Sequence, residues 1–93
     1  MRPTLRQLQY LVAVADTGKF HDAARIMNVS QPSLSAQIAE AEIQLGATLI
    51  ERGRNGAFLT PVGEEVVRRA RKILTQIDCL LYTSPSPRDL YRS

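Results

Sequence analysis

Residues 20–46 read FHDAARIMNVSQPSLSAQIAEAEIQLG, and this stretch decides the fold. Apolar residues recur at helical spacing on both sides of Asn28, which is typical of two helices joined by a tight turn. Ser30 is suited to cap the second helix, Pro32 fits its first turn and Gly46 is suited to end it. The stretch therefore predicts a short helix, a turn of about three residues and a longer helix.

Another helix is predicted upstream, with Thr4 as its N-cap and Gly18 at its end. Two apolar stripes run along it at helical spacing. The first consists of Leu5, Leu8, Val12 and Ala15, and the second of Tyr10, Leu11 and Val14. Because more than half of the circumference is apolar, we expect this helix to face a second surface beyond its own core.

Downstream, the hydrophobic period changes. Residues 48–60 place two short apolar runs around a Gly/Asn-rich segment, which predicts a β-hairpin. We expect the turn at Asn55-Gly56, with Arg52 and Arg54 near the tip of the hairpin.

Thr60 and Pro61 are suited to begin a long helix as its N-cap and first residue. Its apolar seam repeats at alternating spacings of four and three, which is typical of a helix packed against a second helix. The seam consists of Val66, Ala70, Ile73, Ile77 and Leu80, widened by Val67, Leu74 and Leu81. It is longer than a small domain can cover, so it implies a partner helix. The basic cluster of the same helix, which we interpret as its solvated outer face, consists of Arg68, Arg69, Arg71 and Lys72.

The regular pattern stops after Leu81, where two prolines and three serines oppose regular structure. We therefore divide the chain into a domain over residues 1–60, a linker helix over 61–81 and a disordered tail over 82–93. Because the break is abrupt, we interpret the residues from about Cys79 onward as readthrough into vector or adapter sequence, with a native tail as the alternative.

Composition narrows the class of protein. The 93 residues carry 12 Lys+Arg against 9 Asp+Glu, a net charge of +3, and 44% of them are hydrophobic, which suits one compact domain. No stretch reaches the about 20 apolar residues of a membrane span, and the N-terminus lacks a signal-peptide pattern. We predict a cytoplasmic, nucleoid-associated protein with no membrane partner. One Cys and one His cannot build a zinc site, so we predict no metal and no cofactor.

No constellation of residues supports catalysis. His21 has no second histidine or serine-aspartate pair at useful spacing, so it is interpreted as a surface histidine. Glu40 and Glu42 do not face each other on a helix, and no Gly-rich phosphate loop is present. The sequence therefore predicts that the protein is not an enzyme and has no catalytic residues.

The helix after Ser30 fits duplex DNA instead. Its first turns carry short polar side chains on the face opposite Leu34 and Ile38, and such groups hydrogen-bond to base edges or phosphates in the major groove. The hairpin arginines suit the minor groove or its phosphates, the alternative being that they are merely solvated. The predicted DNA contacts are Ser30, Gln31, Pro32, Ser33, Ser35, Gln37, Arg52 and Arg54.

At this point the pattern VSQPSLS…QI…E…LG…L…ER…LT..GE resembles the N-terminal winged helix-turn-helix of LysR-type transcriptional regulators, over about residues 5–78. Within that family, LRQLQYLVAVADTG looks most like the hydrogen-peroxide-inducible activators of the OxyR type. The resemblance implies a mainly α fold, with a two-stranded β-wing and a long C-terminal linker helix. It also implies sequence-specific binding of double-stranded DNA as a transcriptional regulator.

The resemblance further implies a homodimer on an inverted-repeat operator, in which linker helices pack on each other and on the partner's first helix. The implied dimer contacts are Tyr10, Val14, Val66, Ala70, Ile73, Leu74 and Ile77. An alternative function is a truncated fragment that dimerises with full-length relatives without regulating independently.

Three positions depart from the family pattern. Ala39 stands where a basic residue is common, Ala41 where leucine is usual and Ile43 where an acidic residue is usual. We expect weaker phosphate affinity from the first departure and a thinner core from the second. Family members normally continue into an effector-binding domain, so we predict no small-molecule effector site in these 93 residues.

Overall fold

The structure, a computed structural model, describes residues 2–83. Within that range the elements are α1 (Leu5–Thr17), α2 (Phe20–Met27), α3 (Gln31–Leu45), β1 (Ile50–Gly53), β2 (Gly56–Leu59) and α4 (Pro61–Thr83). The predicted fold class, mainly helical with a two-stranded antiparallel wing, is confirmed. Helix α4 continues two residues beyond the predicted end of the linker helix at residue 81. The rest of the predicted tail, residues 84–93, lies outside the described residues.

Cap residues set the helix boundaries where the sequence places them. The Thr4 hydroxyl accepts a hydrogen bond from the Gln7 N–H, and the Gln7 side chain accepts one from the Thr4 N–H, which together form a capping box. The Ser30 hydroxyl caps α3 by accepting from the Ser33 N–H. Gly18 and Gly46 take left-handed backbone angles at the ends of α1 and α3.

The hydrophobic core lies between α1, α2, α3 and the first half of α4. Its largest fully buried side chains are Leu11, Val14, Leu34 and Leu49. Burying a leucine or valine side chain contributes about 1.5–3 kcal/mol, so this group supplies much of the stability. Two consecutive alanines of α2, at positions 23 and 24, are also buried, and their small size lets the neighbouring helices approach closely.

Helix α1 buries the stripe that we assigned to a dimer partner. Tyr10 and Val14, which we predicted as dimer contacts, are only 4% and 2% exposed and belong to the core of their own chain, so little of their surface is left for a partner. The same holds for Ala70 of α4, which is 1% exposed. Both stripes of α1 are apolar, so spacing alone could not decide which of them faces the chain's own core. The outward-facing stripe is the other one, where Leu5 is 48% exposed.

The turn of the hairpin lies one residue earlier than predicted. Gly53 pairs with Gly56, which leaves Arg54 and Asn55 as the two central residues. A type I′ turn at Asn55-Gly56 needs a positive φ at both positions, but Asn55 does not have one. Gly56 has a φ of 131° and begins β2 instead.

Backbone hydrogen bonds fix the hairpin to the helices. The Ala57 N–H donates to the carbonyl of Gly18 at the end of α1, at 2.8 Å. The Glu42 carboxylate of α3 accepts from the N–H groups of Leu49 and Ile50, at 2.7 and 3.2 Å. An acidic side chain of α3 therefore holds the start of β1.

Helix α4 begins in close contact with the backbone before β1. The Thr60 hydroxyl donates to the carbonyl of Thr48 at 2.6 Å and accepts from the Gly63 N–H at 2.9 Å, which confirms Thr60 as the cap of α4. A Cβ atom built on Gly63 would lie 2.0 Å from the carbonyl oxygen of Leu49. The close approach of α4 to Leu49 therefore requires glycine at position 63.

Candidate nucleic-acid interface

The N-terminal end of α3 presents an exposed polar surface. Gln31, Pro32 and Ser33 are exposed, while Leu34 and Ile38 anchor the opposite face of the helix in the core, at 0% and 3% exposure. Within residues 2–83, the side chains of Gln31 and Ser33 form no hydrogen bond. The polar groups at this end of the helix can therefore bind an external partner.

Three other predicted DNA contacts on α3 are engaged within the chain. The Ser30 hydroxyl caps the helix by accepting from the Ser33 N–H at 3.2 Å. The Ser35 hydroxyl accepts from the Arg52 guanidinium. The Oε1 atom of Gln37 accepts from Nε2 of Gln7, a residue of α1, at 3.0 Å. The cap at Ser30 was predicted from the sequence, whereas the partners of Ser35 and Gln37 were not.

Arg52 holds the hairpin against the helices. Its guanidinium carbon lies 4.0 Å from the centre of the Phe20 ring at the start of α2, and its Nη2 atom donates to the Ser35 hydroxyl of α3. A cation–π contact of this kind contributes about 0.5–1 kcal/mol at an exposed site. The side chain lies over α2 and α3, which argues against the alternative that Arg52 is merely solvated, and its contact with DNA stays a prediction.

Arg54 occupies the turn between β1 and β2. Its side chain is exposed, and in the part of the chain that the structure describes it forms no ion pair. An unpaired guanidinium at the end of a hairpin is well placed for a phosphate or a narrow groove. The two hairpin arginines therefore differ, since one braces the hairpin and the other is available at its tip.

The three arginines of the basic cluster of α4 pair with acidic side chains. Glu65 accepts hydrogen bonds from Arg68 and Arg69, and these bonds lower the pKa of its carboxyl to about 2. Arg71 donates to the carboxylate of Asp16 on α1 at 2.6 Å. This pairing agrees with our interpretation of the cluster as an outer helix face.

Two polar residues with structural roles escaped the sequence analysis. Gln7 follows Thr4 at the spacing of a capping box, so that motif could have indicated its cap. Its bond to Gln37, thirty positions along the chain, has no local signal. Glu42 likewise binds backbone N–H groups that only the tertiary fold brings to it.

Residues 2–83 were also compared with what a histidine site, a metal site and a membrane-spanning helix require. His21 is exposed at the start of α2, as predicted for a surface histidine. Over the described range, no three His, Cys, Asp or Glu side chains are grouped closely enough to hold a metal ion. The helices of that range also lack the length and apolar character that crossing a membrane demands.

Comparison with known families gives a match over most of this region. The model described as "Bacterial regulatory helix-turn-helix protein, lysR family" matches residues 5–64. The chain is also similar to the HTH-type transcriptional regulator EstR of Acinetobacter baylyi, with 48% identity over 82 residues, which are 88% of this chain and 27% of EstR. The chain spans about a quarter of the length of the curated relatives it matches.

Solved structures with the same fold include two at 37% sequence identity. The oxidized form of OxyR from Corynebacterium glutamicum superposes with a TM-score of 0.86, covering 90% of this chain and 26% of that one. The CbnR_DBD-DNA complex superposes with a TM-score of 0.81, covering 87% of this chain and 93% of that one. The helices and the hairpin described above therefore recur in a protein solved together with DNA.

Proposed function

The chain belongs to the lysR family of bacterial regulatory helix-turn-helix proteins, and on this premise we propose that it binds double-stranded DNA sequence-specifically as a transcriptional regulator. Helix α3 enters the major groove with its N-terminal residues at the base edges, and the hairpin lies at the flanking minor groove. The observation that carries the proposal is the exposed end of α3, where the side chains of Gln31 and Ser33 form no hydrogen bond within residues 2–83. The similarity to the CbnR_DBD-DNA complex supports it.

We further propose that the chain acts as a homodimer through α4. An apolar groove lined by Leu8, Leu45, Val66 and Ile73 runs between the start of α1 and α4. Ile73 is 40% exposed, and Leu80 further along α4 is 62% exposed. A second copy of α4 covers this surface in the proposed dimer, with Leu74 and Ile77, both half-buried, at its margin.

The dimer binds an inverted repeat whose half-sites lie about one helical turn apart, roughly 34 Å, or a multiple of that distance. Binding to chromosomal DNA places the protein in the cytoplasm, at the nucleoid. The OxyR resemblance extends the proposal to a regulator of the peroxide-inducible type.

Gln31→Ala tests base reading by α3. A glutamine that contacts a base edge contributes about 1–3 kcal/mol of discrimination between sites, so we expect the variant to lose about that preference for selected over random duplexes. The measurement is the dissociation constant on a duplex selected from a randomised library and on a scrambled duplex. Gln9→Ala, which removes an exposed glutamine of α1, should leave both constants unchanged. Equal losses on the two duplexes for Gln31→Ala would refute base reading by this residue.

Arg54→Ala tests the phosphate contact of the hairpin. Removing one phosphate contact weakens binding to all duplexes and lowers the slope of log affinity against log salt by about 1. Fluorescence anisotropy titrations between low and moderate salt measure this slope. Lys72→Ala removes the same charge from α4 and serves as the control. A salt slope that falls equally in both variants would contradict a specific role for Arg54.

A further inference from the structure

Gln7 is a buried polar side chain in the core of residues 2–83, with only 4% of its surface exposed. Both ends of its amide are hydrogen-bonded. Its Oε1 accepts from the Thr4 backbone N–H at 3.0 Å, and its Nε2 donates to Oε1 of Gln37 at 3.0 Å. The buried amide thus connects the start of α1 to the middle of α3, on the helix that we propose to read DNA.

The orientation of the Gln7 and Gln37 amides is fixed by which of their atoms can donate a hydrogen bond. A backbone N–H can only donate, so the oxygen of the Gln7 amide has to face Thr4 and its nitrogen has to face Gln37. A nitrogen that donates requires an acceptor, so the amide oxygen of Gln37 is held towards Gln7. Gln37 itself is exposed, and its Nε2 atom forms no hydrogen bond with the described residues. Gln37 consequently offers N–H donors outward.

We propose that Gln7 is a positioning residue that sets the polarity of the Gln37 amide, so that Gln37 takes a hydrogen-bond acceptor on the DNA. This inference rests on the proposed function. Reading adenine with a glutamine uses a donor and an acceptor together, and here the acceptor oxygen is turned towards Gln7 and away from the exposed side. The partner of Gln37 is therefore an acceptor atom, either a phosphate oxygen or an acceptor on a base edge.

Gln7→Glu tests the proposal because it reverses the direction of the hydrogen bond between residues 7 and 37. It keeps the bond from the Thr4 N–H that caps α1. Glutamate is the other side chain found at this position of a capping box, so the Thr4 bond is retained. A carboxylate cannot donate, so Gln37 has to rotate its amide, donate to Glu at position 7 and turn its oxygen outward. We expect the affinity for a library-selected duplex to fall about tenfold, as for a lost hydrogen bond to a charged or polar acceptor.

Matched variants distinguish the effect of turning the Gln37 amide from the effect of the added negative charge. Gln9→Glu adds the same charge to an exposed position of α1 and should change the affinity much less. In a Gln37→Met background, Gln7→Glu should lower the affinity no more than Gln9→Glu does. If Gln7→Glu does not fold, judged by its thermal unfolding, Gln7→Met provides the same cycle without a charge, because it too releases the Gln37 amide.

The pattern of losses identifies the acceptor. An equal loss on selected and scrambled duplexes indicates a phosphate oxygen, whereas a loss confined to the selected duplex, with altered preference at one base pair, indicates a base edge. Equal affinities for Gln7→Glu and Gln9→Glu would overturn the inference, and so would an excess loss that persists in Gln37→Met. Failure of the unmodified chain to bind any duplex would refute the proposed function itself.

Discussion

Replacing Gly63 with alanine is expected to destabilise the chain by about 3 kcal/mol, although alanine is the better helix former. The added Cβ would meet the carbonyl oxygen of Leu49 at 2.0 Å, far inside van der Waals contact. Leu49 cannot yield, because its side chain is fully buried and Glu42 holds its N–H. Its carbonyl also accepts from the Thr60 N–H at 3.0 Å. Relief of the clash therefore requires α4 to move away from the core.

Urea unfolding followed by circular dichroism measures this effect. Helix propensity alone predicts that Gly63→Ala stabilises the chain by up to about 1 kcal/mol, so the two arguments differ in sign. Gly46→Ala is the matched control, because Gly46 has a left-handed φ of 69° and no atom within 4 Å of an added Cβ. It should cost about 1–2 kcal/mol through backbone strain alone. A Gly63→Ala variant as stable as the unmodified chain would contradict the close approach of α4 to Leu49.

Ile73→Asp is expected to convert the proposed dimer into a monomer. An aspartate in the covered seam would be desolvated without a partner, which costs several kcal/mol. Binding to an inverted repeat should then weaken about a hundredfold or more, because the two half-sites are no longer bound together. Position 73 suits the test because the side chain is 40% exposed in the single chain, so the substitution should leave the fold intact. An aspartate at the position of Ala70, which is 1% exposed, would instead disrupt the chain's own core.

Light scattering gives the mass, and anisotropy with a duplex carrying the repeat gives the affinity. Thr75→Asp introduces the same charge at an exposed position on the opposite side of α4, and it should leave both unchanged. An unchanged mass for Ile73→Asp would show that the apolar seam of α4 does not hold the dimer together. A monomer that keeps its full affinity for the repeat would show that the two copies bind without coupling.

The helix boundaries could be predicted because their causes are local. Caps at Thr4, Ser30 and Thr60 and left-handed glycines at 18 and 46 act within one turn of the helix that they begin or end. The exposed end of α3 was also predictable, since the polar face opposite Leu34 follows from helical spacing. The predicted contacts Gln31, Pro32 and Ser33 are accordingly exposed on that face.

Other features depend on contacts between distant residues, which spacing does not encode. The two apolar stripes of α1 are equivalent by sequence, so burial of Tyr10 and Val14 in the chain's own core could be learned only from the packed helices. The stacking of Arg52 on Phe20 joins residues from two separate elements. The hairpin turn shifted for a similar reason, because Gly56 begins β2 where its close contact with Gly18 leaves no room for a Cβ atom.

Helix α3 contains no lysine or arginine, and it carries Glu40 and Glu42 beyond its polar end. Attraction to phosphates regardless of sequence therefore depends on other elements, such as the hairpin with Arg54. Weak attraction of this kind shortens the time that a regulator spends on the vast excess of non-target chromosomal sites. A larger share of the molecules then remains free of DNA. Occupancy of a target site therefore depends more on base contacts than on the salt concentration in the cell.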